Sequence, residues 1–190
     1  MGFMIASIYG LGLGKDSAVS ILATFFMLFL VFESLRLRIP AINDVVLRAW
    51  GPLMRQSEIH RFSGTLYYLG ASVLVIGLFP REIAVLSLLY LAFGDPVASL
   101  FGILYGDRSI RFSNGKSLIG SLASIAVCVV ITSVFTVTLP ISWISWLFLV
   151  SVGGLAGGLS EHIPFEIDDN FTIPVVSGMI LWTVFILLAV

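Results

Sequence analysis

Six predominantly apolar runs, at 17–35, 64–79, 82–105, 117–139, 143–159 and 171–190, come at about the length a helix needs to cross a bilayer. Backbone groups in hydrocarbon have no water to bond, so such runs satisfy themselves as helices. The expected fold is all-α: a polytopic integral membrane bundle of six spans. A further apolar piece, 1–13, is too short to cross and reads as a half-span, a re-entrant segment or the stump of a longer helix. Pro40, Pro52, Pro80, Pro140 and Pro164 fall between the runs, where helix breakers belong, whereas Pro96 and Pro174 fall inside them. The chain, 1–190, reads as a single transmembrane domain without internal repeats.

Composition narrows the function classes. With 58% hydrophobic residues, 11% charged ones and a mean hydropathy of +1.08, the chain lies outside the range of an ordinary soluble domain. A net charge of −1 gives no basis for nucleic acid as a partner. Cys128 is the single cysteine, so no disulfide framework is expected. The N-terminus shows neither the basic start nor the small-residue cleavage pattern of a secretory leader, so insertion is expected to rest on the spans themselves.

Asp95 interrupts the third run. A carboxylate in hydrocarbon is costly unless it faces a protein interior or a wet cavity, which makes it a candidate functional residue. On a helix, Asp95, Ala98, Gly102 and Gly106 fall within roughly an 80° arc. The acid therefore lies on the small-residue face that lets another helix approach, away from lipid.

Lysines and arginines collect in two connections, Arg36, Arg38, Arg48, Arg55 and Arg61 in one and Arg108, Arg111 and Lys116 in the other, while the opposite ends carry only Lys15 and Arg81. Both basic loops are expected on the cytosolic side. Alternation brings the loop at 160–170, with Glu161, Glu166, Asp168 and Asp169, to the same face. Basic groups suit phosphates and clustered carboxylates suit a divalent cation, so one face is expected to hold a metal-nucleotide site.

The segment Gly115-Lys116-Ser117 resembles the end of a P-loop, but position 110 is Ile and the preceding element is a helix, which rejects that motif. The local physics remains: amides at a helix start, a glycine and a cation. Arg108, Arg111 and Lys116 suit either topology determinants or phosphate binding. Ile167-Asp168-Asp169-Asn170 suits a helix cap or, given its shared face with the basic loop, magnesium. Glu161 ends a helix carrying Gly153, Gly154, Gly157 and Gly158, whose tight packing can bring it near Asp95; His162 reads as a hydrogen-bonded histidine. Glu33, Arg36 and Glu58 sit at helix ends, where charges ordinarily snorkel, and are weak candidates for substrate contact.

Taken together, Asp95-x-x-Ala98-x-x-x-Gly102-x-x-x-Gly106 and Lys116-Ser117-Leu118-Ile119-Gly120 resemble the signature of the CTP-dependent lipid kinases, which include dolichol, polyprenol, phytol and diacylglycerol kinases. Glu161-His162-Ile163-Pro164, Ile167 through Pro174, and Arg55-Gln56-Ser57-Glu58 leading to Ser63 through Tyr68 extend the likeness. The chain departs from that signature at Gly115, where the family has a second basic residue, and at Ile119, where it has glutamate. The resemblance implies transfer of the CTP γ-phosphoryl group to a membrane lipid alcohol with Mg2+. It implies that Asp168 and Asp169 hold the metal, that Asp95 holds metal or accepts the hydroxyl proton, and that Glu161 and Asn170 belong to the catalytic cluster. Lys116, Ser117 and the backbone at Gly115 would take the phosphates, with Arg108, Arg111, Gly102, Gly106 and Gly120 around the nucleotide.

The nearest rival is a cytidylyltransferase acting on phosphatidate, which normally ends on a different aspartate motif. A rival of another class is a small-solute transporter, whose broken helices could account for Asp95-Pro96. Small-residue helix faces could equally serve a homodimer.

Overall fold

A computed structural model of the chain describes residues 2–112, 115–162 and 167–189. Ile163, Pro164 and Glu166 of the sequence motifs lie outside the described residues. The described helices are α1 (Gly2–Gly10), α2 (Lys15–Arg38), α3 (Pro40–Trp50), α4 (Gly64–Leu78), α5 (Arg81–Leu89), α6 (Asp95–Tyr105), α7 (Leu118–Thr136), α8 (Trp143–Leu159) and α9 (Asp169–Leu188). No strand occurs among the described residues, only an isolated bridge between Arg111 and Ser117.

Among the described residues five helical stretches are long and apolar enough to cross a membrane, and α4, at 15 residues, is a shorter apolar helix. They coincide with the six runs of the sequence. The piece at the N-terminus forms the nine-residue α1, which packs on α5. One element was not expected. The basic stretch after α2, read as a loop, contains α3, whose half-buried face carries Ile42, Asn43, Val46 and Leu47. Pro40 stands at its first position, where its missing N–H is not needed.

The bundle is built around α5, in which every residue from Ile83 to Leu88 is buried. Between α5 and α6 the chain widens into a π-helical turn, Tyr90–Gly94. Pro96 supplies the cause. Its ring would press on the carbonyl four residues back, and a wider turn admits it without ending the helix. The same turn lays Gly94 against α7, where a Cβ would stand 3.0 Å from Ser124 Oγ and 3.1 Å from Cys128 Sγ.

Packing of α7 on α8 follows from residue size. The buried face of α7 repeats small polar residues every four positions, Ser124, Cys128, Thr132 and Thr136. Thr132 and Thr136 donate to carbonyls one turn back, at 2.7 and 2.6 Å, which satisfies them inside hydrocarbon. Opposite them lie the α8 glycines. A Cβ on Gly158 would stand 2.7 Å from the Ile125 amide nitrogen and 2.8 Å from its Cα. Backbone cannot rotate away, so Gly158→Val must separate the two helices. Such overpacking costs about 1–3 kcal/mol. A lowered melting midpoint in detergent and reduced membrane yield are expected; unchanged melting would mean the helices meet elsewhere.

Candidate active site

The start of α7, the end of α8 and the start of α9 converge beside α6. Ser117 caps α7, accepting from the Gly120 amide at 3.1 Å, which places Lys116 immediately before the helix. The loop before it closes through three backbone bonds: Phe112 N–H to Lys116 O at 2.8 Å, Gly115 N–H to Phe112 O at 2.9 Å and Leu118 N–H to Ile110 O at 2.9 Å. Gly115 has φ +83°, a conformation that disfavours any residue with a Cβ. Gly120 allows the close approach of α6, since a Cβ there would meet the Ala98 carbonyl oxygen at 2.6 Å.

This clasp aims Lys116 at two carboxylates. Its ammonium donates to Asp169 Oδ2 at 2.7 Å and to Glu161 Oε2 at 2.9 Å. Burial alone would lower the lysine pKa; the hydrogen bonds and charges of Asp169 and Glu161 outweigh it, and the pKa is raised above its ordinary value. Lys116 therefore stays a cation. Glu161, with 4% of its side chain exposed, also accepts from Ser121 Oγ at 2.9 Å. Ser121 Oγ lies 2.6 Å from His162 Nε2. The His162 ring rests edge-on against Phe112 with centroids 4.6 Å apart.

A cavity of about 390 Å³ opens in front of Lys116, and Asp95, Gly102, Arg111, Gly115, Ser117, Gly120, Ser121, Glu161 and Asp169 all border it. Asp95 is half-buried, and the charges that act on it are those of Lys116, Asp169, Arg55 and Glu161. Among the described residues no hydrogen bond or ion pair occupies its carboxylate. Segments far apart in the chain thus bring Lys116, Arg55 and Arg111 and the carboxylates of Asp95, Glu161 and Asp169 to one space. Arg111 is held in place by Asp107 at 3.1 Å and by the Gly115 carbonyl at 3.3 Å.

Other candidates are placed differently. Asp168 caps α9, its Oδ1 accepting from the Asn170 amide at 2.9 Å and from Asn170 Nδ2 at 2.6 Å, while its Oδ2 lies 3.9 Å from Arg55. Asn170 borders a neighbouring cavity of about 420 Å³ that shares Asp95 and Arg55 with the first. Gly106 is buried behind Arg111, and Arg108 is exposed on the following turn and borders neither cavity.

Glu33 and Arg36 also border neither cavity. They do not snorkel. They form a buried bidentate pair, with Arg36 Nε to Glu33 Oε1 at 2.7 Å and Nη2 to Oε2 at 2.9 Å, at 2% and 0% exposure. Arg36 further donates to Asn43 Oδ1 and to the Arg61 carbonyl, both at 2.8 Å, and Glu33 accepts from the Ser63 amide at 2.8 Å. Glu58 borders the second cavity, but its oxygens already accept from the Gly64 and Arg55 amides at 2.7 and 3.0 Å.

Sequence reasoning gave no place at the site to Ser121 or Tyr68, and met Arg55 within a motif and among the arginines of the basic connection. Ser121 had a legible signal, since it lies one turn after the helix cap and so on the same face as Ser117.

The chain is similar in sequence to several lipid kinases. A CTP-dependent diacylglycerol kinase 1 of Eremothecium gossypii is 37% identical over 177 residues, covering 84% of this chain and 56% of that protein. The CTP-dependent diacylglycerol kinase 1 of Saccharomyces cerevisiae is 32% identical over 197 residues, covering 94% of this chain and 68% of that protein. A probable chloroplastic phytol kinase 1 of Glycine max is 31% identical over 121 residues, covering 58% and 40%. The chain therefore spans little more than half the length of the first of these. No protein-family model matches it, and no solved structure does. Alignment over nearly the whole chain with proteins of this kind, on a membrane bundle that gathers the signature residues in one place, shows that the chain belongs to the family of CTP-dependent lipid kinases.

Proposed function

We propose that the protein transfers the γ-phosphoryl group of CTP to the hydroxyl of a membrane lipid alcohol, with diacylglycerol the first acceptor to try and polyprenol, dolichol and phytol its alternatives. CTP and the acceptor class follow the relatives named above. The observation that carries the reading is Lys116, held between Glu161 and Asp169 at the rim of a cavity that Asp95 also borders. Phosphoryl transfer asks mainly for positioning and charge stabilisation, and this is an arrangement of fixed charges.

In the reaction, the bond from the γ-phosphorus to the β,γ-bridging oxygen breaks, a bond from the lipid oxygen forms, the hydroxyl proton leaves and CDP departs. Lys116, with the amides at the start of α7 and Arg111, faces the phosphates. Asp95, free of partners among the described residues, takes the hydroxyl proton or contributes a metal contact. Asn170 and Asp168 fix the α9 start that carries Asp169.

The residues fit Mg2+. Among the described residues no three of His, Cys, Asp and Glu gather closely enough to enclose an ion, and magnesium characteristically uses one or two carboxylates, water and substrate phosphates instead. Asp95 and Asp169 on one cavity supply those carboxylates, with Asp168 beside them. When bound, the ion would neutralise developing phosphate charge. By the distribution of arginine and lysine, the site opens to the cytosol.

The test uses purified protein in lipid nanodiscs with CTP labelled at the γ or the α phosphate and a panel of lipid alcohols. Label from γ in the lipid, lost on chelation and restored by magnesium, is the expected result. Label from α in the lipid would make the protein a cytidylyltransferase, and no transfer from either position would end the kinase reading.

A further inference from the structure

Asp95 stands between two cavities, and the second is not explained by the nucleotide. Glu58, Gly64, Thr65, Tyr68, Pro96 and Asn170 line it, and Arg55 and Asp95 join it to the first. Thr65 in turn also borders a third space, an apolar groove of about 460 Å³ between α1, α2 and α4 whose walls include Ile8, Ile21, Phe25 and Leu69. The three spaces follow one another from hydrocarbon, through a mixed polar pocket, to the cation at Lys116. Ile21 and Phe25 are 48% and 60% exposed, so the groove opens on the lipid-facing flank of α2.

Tyr68 adds an independent observation. It is 6% exposed, and its hydroxyl, on the wall of the second cavity, is buried without a hydrogen-bond partner among the described residues. Ser72, one turn on, gives its own hydroxyl to the Tyr68 carbonyl at 2.8 Å. Buried polar groups are nearly always paired, and one left over at a cavity wall points to a partner from outside the protein. Among the described residues that line the cavity, Glu58 and Asp95 against the one cation of Arg55 favour a neutral head over an anionic one.

We propose that the second cavity receives the head of the lipid acceptor and the groove receives its hydrocarbon chain, with the Tyr68 hydroxyl donating to an oxygen of that head. The proposal rests on the kinase reading and names the acceptor path within it. The lipid enters sideways from the bilayer past Ile21 and Phe25, and Thr65 marks the junction between chain and head. The alcohol then reaches Asp95 from the side opposite the nucleotide, the arrangement an in-line transfer requires.

The test is a trace of diacylglycerol carrying a diazirine at the end of one acyl chain, photolysed with the protein in phosphatidylcholine nanodiscs. Crosslinks are expected on α1, α2 and α4 around Ile8, Ile21 and Phe25. Excess diacylglycerol should displace them, and they should persist without CTP and in Asp95→Asn protein. Crosslinks spread over the outer faces of α7 and α8 and not displaced would overturn the path. Because labelling needs no turnover, failure of the path and failure of the kinase reading give different results.

Kinetics supply the second measurement. Tyr68→Phe removes a hydroxyl that has no partner among the described residues, so folding is retained, and the KM for diacylglycerol should rise about three- to tenfold with the KM for CTP unchanged. Ile21→Trp, at an exposed position, should fill the groove, raise the same KM and weaken the crosslink. Wild-type lipid KM in both variants would overturn the assignment.

Discussion

Asp95→Asn is expected to lower phosphoryl transfer by roughly a thousandfold while leaving a folded, membrane-inserted protein. The two side chains have the same shape, and no hydrogen bond or ion pair to the Asp95 carboxylate exists among the described residues, so the substitution breaks nothing in the bundle. Removing a charge from within a membrane span is neutral or favourable for stability. What disappears is the one carboxylate among the described residues that borders both the Lys116 cavity and the pocket behind it. Asn accepts no proton at neutral pH and binds a cation weakly, so either role assigned to Asp95 fails. Single-turnover transfer from γ-labelled CTP measures the loss, with CTP binding and thermal melting as controls. Turnover at the wild-type rate would remove Asp95 from the mechanism.

Much of this was legible in the residues, for physical reasons that differ by element. The spans declare themselves because hydrocarbon tolerates only apolar helices, and 17–35 and 143–159 lie close to the observed Lys15–Arg38 and Trp143–Leu159. Asp95 declares itself because a carboxylate in such a run has no cheap explanation. Helix α3 was hidden by its arginine and aspartate, which made a surface helix read as a loop. The turn at Tyr90–Gly94 was hidden because Pro96 announces a disturbance without saying whether the helix ends or widens. At the site, one-face placement brought Lys116, Glu161 and Asp169 within reach of each other on paper, but the hydrogen bonds joining them depend on the Ser117 and Asp168 caps aiming two helix starts at one point. Arg108 shared the basic loop with Arg111 and ended up outside the cavity, a difference of three residues around a turn that composition does not register.

Arg36→Met is expected to be strongly destabilising. Glu33 and Arg36 read in the sequence as charges at a helix end with access to water, yet both are buried, and Arg36 divides its donors among Glu33, Asn43 and the Glu58 and Arg61 carbonyls. These bonds tie the end of α2 to α3 and to the segment leading into α4. Methionine fills the space but leaves the Glu33 carboxylate without its counter-ion and several oxygens without donors. Breaking a buried pair in this way costs about 3–5 kcal/mol, which for a chain of this size lowers the melting midpoint by roughly 10 °C. Glu33→Gln with Arg36→Met removes the stranded charge, so the double variant should recover part of the loss, whereas two independent sites would add. Activity should fall together with stability, because the same segment carries Arg55 and Glu58 to the cavity wall. Melting of Arg36→Met at the wild-type midpoint would show that the pair does not hold α2 to that segment.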